Sequence, residues 1–279
     1  MDLITQMSQI SPGRILTAPL DYMASDFAAT YFTWYVMCFS LLVLPWAFFR
    51  LVKKGDSVPL FMWLGGVLCS FQESMLDNIG HLWYPPNMPG PLYIGYGVPV
   101  PLVNVFGYSF FVGMIGYWAY TRMQRPLTVK RVFSMWLLIG LSDIILEVPG
   151  TVSKTYIYYD QPLKIFEFPL AWAWINGTAW LMVGFFLWVV EPYLRTGWRR
   201  ALVILMPSAG MGAGYGIVAW PYFNSLNMPI PVYATWLWTA FSLILSIIMV
   251  YAMAVAIEHI SAVRAATARM SDDRLPHAN

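Results

Sequence analysis

Charge is what this sequence has least of. Only 11% of its 279 residues are Asp, Glu, Lys or Arg, whereas 59% are hydrophobic and 17% aromatic. That balance excludes an ordinary soluble domain and makes lipid the solvent. The formal net charge of +2 gives no reason to expect a nucleic-acid partner. Cysteine is nearly absent: Cys38 and Cys69 fall in apolar runs without CxxC or Cys/His ligand spacing, and are expected to be small apolar core residues. With three histidines, the His-rich clusters of membrane desaturases and hydroxylases are ruled out. There is no Walker A loop, no GxGxxG after a strand, no GxSxG elbow and no HExxH pair. No Lys lies between Val232 and Ile257, so a retinal Schiff base has no attachment point there. The first 26 residues lack an uninterrupted apolar core, so a cleaved signal peptide is not expected.

Long apolar runs are abundant. A bilayer core needs about 20 apolar residues per helix. The pattern predicts an all-α polytopic membrane protein of about seven spans: Phe27 to Phe49, Val58 to Gly80, Val100 to Met123, Val132 to Val152, Phe168 to Val190, Ala201 to Phe223 and Val232 to Ile257. Residues 1–26 then form an extracytoplasmic N-terminal segment, 27–260 the membrane domain and 261–279 a cytoplasmic tail. Basic residues concentrate in alternate connections: Arg50, Lys53 and Lys54; Arg122, Arg125, Lys130 and Arg131; Arg195, Arg199 and Arg200; and the tail arginines. The positive-inside rule therefore expects the N-terminus outside and the C-terminus in the cytoplasm, which requires an odd number of spans.

The three outward connections are each rich in aromatics and proline: Leu82-Trp83-Tyr84-Pro85-Pro86 through Pro101, Tyr156-Ile157-Tyr158-Tyr159 through Pro169, and Trp220-Pro221-Tyr222-Phe223 through Pro231. An interfacial aromatic belt accounts for the rings but not for the recurrent prolines. One helix followed by three degenerate hairpins accounts for both.

Chemistry points to carboxylates. A mid-span charge costs at least ~2.5 kcal/mol, so it marks function or a paired contact. Helix two carries Glu73, Asp77 and His81, each four residues apart and so expected on one face; helix four carries Asp143 and Glu147 with the same spacing. Both acid pairs fall in the outer half of their spans, at similar depth. No basic side chain lies in the interior of any span, Arg122 standing at the very end of its own, so these acids must be protonated, bound to a cation or solvated in a cavity.

Each option implies a function. Two carboxylates facing one another in a low-dielectric pocket keep a proton between them at neutral pH. Such an acid suits an alkene or epoxide in a lipophilic molecule, and aromatic faces would stabilise the resulting carbocation. Trp63, Trp83, Tyr84, Trp118, Trp172, Trp174, Trp220 and Trp236 are the candidate rings, packing and interfacial belts being the plainer account of any one of them. The acids with His81 could also hold a divalent metal, although one His is too few for a zinc or di-iron signature. A carrier could use them to bind a proton or cation. The expectation is acid chemistry with no metal and no cofactor.

Glu73, Asp77, Asp143 and Glu147 are the candidate catalytic residues. His81, Trp83, Tyr84, Asn78, Asn104, Tyr108, Asn176, Trp172 and Trp220 are the candidates for substrate contact, with Thr178 nearby. The polar ones could equally be interhelical glue. The expected partners are a lipophilic isoprenoid substrate and the bilayer. Helix six is dense in small residues, Ser208, Ala209, Gly210, Gly212, Ala213, Gly214 and Gly216. These serve either close helix approach or a wall cleared for a bulky ligand.

The segment Cys69-Ser70-Phe71-Gln72-Glu73, leading to Trp83-Tyr84-Pro85, resembles the second-helix acid region of the small integral membrane terpene cyclases of meroterpenoid and indole-diterpenoid pathways. Those proteins are similar in size and also have about seven spans. The resemblance implies metal-free protonation and cyclisation of a polyprenyl epoxide or alkene, with Glu73 the acid or part of its network. That family has a second important acid in its last helix, whereas Val232 to Ile257 contains none, so Asp143 or Glu147 would have to take that part. In chemical logic the chain is more distantly similar to sterol isomerases of the emopamil-binding type and to carotenoid hydratases.

Overall fold

Lipid forces every span to satisfy its backbone internally, so helices are the expected solution. The structure is a computed structural model describing residues 18–272. Six continuous helices are long and apolar enough to cross a bilayer. They are α1 Asp26–Lys54, α3 Leu102–Met123, α4 Val129–Val152, α5 Leu170–Tyr193, α6 Gly197–Asn227 and α7 Val232–Asp272. The seventh, α2, is interrupted: Val58–Cys69 and Glu73–Gly80 are joined by a 3-10 turn at Ser70–Gln72. At that turn Ser70 Oγ donates to the Val67 carbonyl, and the Ser70 carbonyl accepts from the Tyr93 hydroxyl at 3.1 Å. Side-chain bonds of this kind compete with the helical ladder. The chain is thus an all-α multi-pass membrane protein.

Helix ends follow the sequence. Ser25 caps α1 by accepting from the Ala28 amide, and Gly55, at φ 62°, closes it with amide bonds to Arg50 and Leu51 carbonyls. Thr128 caps α4 by accepting from Arg131. One end of the bundle is an ion-pair web: Arg50 meets Asp56 at 2.5 Å, while Arg200 lies 3.1 Å from Glu191 and 3.8 Å from Asp56. Arg264 sits 4.4 Å over the Trp188 ring at the same basic end.

The opposite end carries three two-stranded antiparallel pairs. Strand β1 (Leu82–Trp83) pairs with β4 (Ile157–Tyr158), placing Leu82 opposite Tyr158. Strands β2 (Tyr93–Gly95) and β3 (Val98–Val100) form a hairpin before α3, and β5 (Lys164–Ile165) and β6 (Phe168–Pro169) form one before α5. The first two connections thus share one plan: a strand, a hairpin, a proline, then a helix. The third departs from it, because Trp220–Asn227 continues α6 as helix and leaves only a short link to α7. The repeat is therefore visible in two hairpins.

Other boundaries differ in detail. Helix α7 runs on through residues 261–272, so the expected tail begins as helix. Residues 1–17 and 273–279, with most of the expected N-terminal segment and the tail's Arg274, lie outside the described residues. Cys69 is buried as expected, but Cys38 is exposed on the bundle surface, since a lipid-facing stripe accepts a small apolar residue as readily as a core does.

Small residues set the helix spacing around α5. A Cβ added at Gly214 would lie 2.6 Å from Ala179 Cα, and one at Gly184 would lie 2.7 Å from the Gly116 carbonyl. Gly210 is pressed on Val183 in the same way. Gly212 and Gly216, on the other face of α6, would meet nothing within 4 Å. The glycines of α6 thus divide into a packing face and an open face. Overpacking costs about 1–3 kcal/mol. Gly214→Leu is therefore expected to lower the unfolding midpoint in detergent by several degrees or abolish the monodisperse peak, with Gly212→Leu matching the wild type.

Candidate active site

Glu73 and Asp77 project from one face of α2, 7% and 3% exposed. Each must find neutral partners, because the ion pairs of the described residues lie at the bundle ends. Glu73 is held by two phenols: Tyr84 donates to Oε1 at 3.3 Å and Tyr108 donates to Oε2. Glu147 on α4 is held by two more, Tyr156 at 2.5 Å and Tyr158 at 3.1 Å, both donating to Oε2. Asp143, fully buried, accepts from Asn176 Nδ2 at 3.0 Å, and Asn176 Oδ1 accepts in turn from the Tyr215 hydroxyl. Asp77 Oδ2 has no hydrogen-bond partner.

Glu73, Asp77 and Glu147 share one cavity of about 80 Å³, together with Tyr84, Asn104, Tyr108, Trp172 and Asn176. Asp143 lies behind Asn176 and reaches the cavity through it. The two acid pairs, distant in sequence, thus converge. Rings line the walls: Tyr84 and Tyr156 have centroids 5.4 Å apart, Tyr158 and Trp172 5.7 Å, Trp172 and Tyr215 6.0 Å. Leu82 and Tyr158, facing each other across β1 and β4, close the cavity at the hairpin end. Among the described residues, no three His, Cys, Asp or Glu side chains come together in a way that could hold a metal ion.

Four candidates lie elsewhere. His81 leaves the α2 face because it adopts the left-handed conformation, φ 53°, at the helix end. Its Nε2 is 3.3 Å from Asn227 Oδ1, its Nδ1 is 3.8 Å from Asp160, and its ring stacks on Tyr159. Trp83 is turned away from Leu82 by strand alternation, Asn78 is exposed and donates to the Tyr96 carbonyl, and Trp220 packs on Trp238 and Phe241 at the bundle surface. Of the other rings, Trp63 donates to Ser40 at 2.8 Å and Trp118 sits by Arg122. Thr178 accepts from Trp136 Nε1 and is interhelical glue.

Tyr156, Tyr158, Tyr215 and Trp180 also line the cavity and were not among the sequence candidates. The available signal was the alternation of Tyr156 and Tyr158, which puts both on one side of an extended segment. Tyr108 and Tyr215 each begin a π-helical stretch, Tyr108–Met114 in α3 and Tyr215–Ala219 in α6, a distortion concentrated at functional sites.

The chain matches no protein-family model, no curated protein and no solved structure.

Removing one partner of a buried polar pair costs about 1–3 kcal/mol, whereas removing both can be nearly neutral. Asn176→Leu is accordingly expected to destabilise the protein in detergent, and adding Asp143→Leu to restore part of the loss. A double-mutant cycle of unfolding midpoints reads the coupling directly; additive losses would show that the pair is not coupled.

Proposed function

We propose that this chain is a membrane-embedded enzyme that protonates a lipophilic isoprenoid and so initiates cyclisation, isomerisation or hydration. The observation that carries the reading is the convergence of Glu73, Asp77 and Glu147 on one ring-walled cavity without a basic side chain in its lining. A carboxylic acid there has no strong aqueous base to lose its proton to, and the rings offer π faces to a carbocation. The resemblance of the α2 acid segment to membrane terpene cyclases supports the same chemistry, with Glu147 supplying the second acid that α7 lacks.

The hydrogen bonds suggest a division of labour. Phenol donors favour the ionised form of the carboxylate they contact, and Glu73 and Glu147 each have two. Asp77 Oδ2 meets no donor, so Asp77 carries the proton and the ionised Glu73 positions it. Transfer to an alkene carbon leaves a tertiary cation; transfer to an epoxide oxygen breaks a C–O bond to the same end. Internal attack of another double bond closes a ring and moves the cation to a new carbon. The charge is finally lost by capture of water with release of one of its protons, or by transfer of a proton from an adjacent carbon to Glu147.

The reading also takes the hairpin end as extracytoplasmic, because the basic connections gather at the other end. The test is turnover of polyprenyl epoxides and carotenoids by the purified protein in deuterated water. The expected product is rearranged; where an alkene carbon takes the proton it carries deuterium on that carbon, and from an epoxide, whose hydroxyl label exchanges, the new ring or double bond is the readout. Asp77→Asn and Glu73→Gln are expected to lower the rate by about 10²–10⁴-fold, the usual contribution of a positioned acid. Unchanged turnover in both variants would refute the assignment. Acid-dependent proton flux in sealed proteoliposomes, with no product formed, would instead make the chain a carrier.

A further inference from the structure

The cavity of about 80 Å³ cannot hold the whole chain of an isoprenoid. It is smaller than the ~150 Å³ apolar cavity that admits a benzene ring. The remainder of a long substrate needs a second compartment.

Such a compartment lies between α2 and α6. These helices are pinned to each other at two levels. Toward the basic end Gly65 is pressed on the Ile204 carbonyl and Pro207. At the hairpin end Asn227 Nδ2 donates to the Ile79 carbonyl at 2.7 Å. Between the two levels they part around a groove of about 400 Å³. Its open face includes Gly212 and Gly216, at which a Cβ would meet nothing within 4 Å. Met75 and Trp220 on its rim are 42% and 41% exposed, so the groove faces lipid. No charged side chain lines it.

The groove backs directly onto the acid cavity. Leu76 and Tyr215 line both, so the wall between them is one layer of side chains. Tyr215 opens the π-helical stretch of α6 and donates to Asn176, which holds Asp143. A shift of this one ring would therefore join the compartments and disturb the acid network together. On the cavity side, buried Asp77 Oδ2 and Asn104 Nδ2 lack hydrogen-bond partners, as expected where a ligand with a polar or reactive end completes the site.

We propose that the α2–α6 groove binds the hydrocarbon tail of the substrate, which enters sideways from the bilayer past Leu76 and Tyr215. The proposal rests on the acid-catalysis reading for the identity of the ligand. The occupant is a branched prenyl chain: only the Leu76 and Tyr215 layer parts the groove from the acid cavity, and the groove is lined without charge.

The test uses full-length protein in nanodiscs and a geranylgeranyl chain bearing a diazirine, with a straight-chain palmitoyl diazirine as comparison. Mass spectrometry is expected to find the prenyl probe on Met75 and Trp220. Gly216→Trp, whose side chain projects into open space, should reduce that labelling and the turnover by roughly tenfold or more. Leu138→Trp, on the exposed surface of α4, should change neither. Glu73→Gln should abolish product and leave labelling intact. Labelling spread evenly over the lipid-facing surface, equal labelling by the palmitoyl probe, or full turnover in Gly216→Trp would overturn the tail groove and leave the acid chemistry standing. Specific labelling of a wild-type protein that turns over no isoprenoid would support the groove and overturn the acid chemistry.

Discussion

The structure depends on satisfying carboxylates in the membrane without a cation. A buried charge is ordinarily paired with the opposite charge or with a metal. Here the lysines and arginines of the described residues sit at the bundle ends, and the acids take neutral donors instead: four phenols and one amide. This keeps the acids in place without consuming the negative character or the proton that would make them useful.

Much of the architecture follows from delivering those donors. Tyr84, Tyr156 and Tyr158 belong to connections rather than spans, and an extended segment dipping into a bilayer needs its backbone paired. The β1–β4 pairing and the Tyr159 amide bond to the His81 carbonyl at 3.0 Å supply that pairing. Tyr108 and Tyr215 come from helices, and both stand where the ladder loosens to π geometry. The glycines that draw α6 onto α5 bring Tyr215 within reach of Asn176. Tight packing on one side of α6 leaves the other side bare at Gly212 and Gly216, so one run of small residues produces both a close contact and a groove.

How much of this the sequence disclosed depended on the range of the signal. The spans were legible because about 20 apolar residues make a local signal that tertiary context does not override. The acids were legible because charge in such a run is costly, and their four-residue spacing put Glu73 with Asp77 and Asp143 with Glu147. His81 followed the same spacing yet left the face, since helical periodicity stops at a left-handed end residue. Tyr156 and Tyr158 read as an interfacial belt because aromatic residues near a span end have that as their commonest use. Whether a loop folds inward depends on pairing with a strand more than 70 positions away, and no local pattern encodes that. The glycines of α6 could be read two ways because the answer depends on which helix lies on each side.

The two glutamates, matched in their partners, are not equivalent. Glu73 has one phenol on each oxygen, whereas both phenols on Glu147 contact Oε2, so Oε1 is left outside the tyrosine clamp. In the proposed reaction this asymmetry gives a direction. A carboxylate with both oxygens engaged is a poor proton acceptor and a good fixed neighbour; one with a free oxygen can receive a proton without breaking its anchoring bonds. Protonation would therefore begin on the α2 side, at Asp77 beside the clamped Glu73, and the closing deprotonation would fall to Glu147 on α4. A cation formed between them lies among rings on its way from one to the other, and the side of the cavity from which its proton is removed would decide which double bond the product carries.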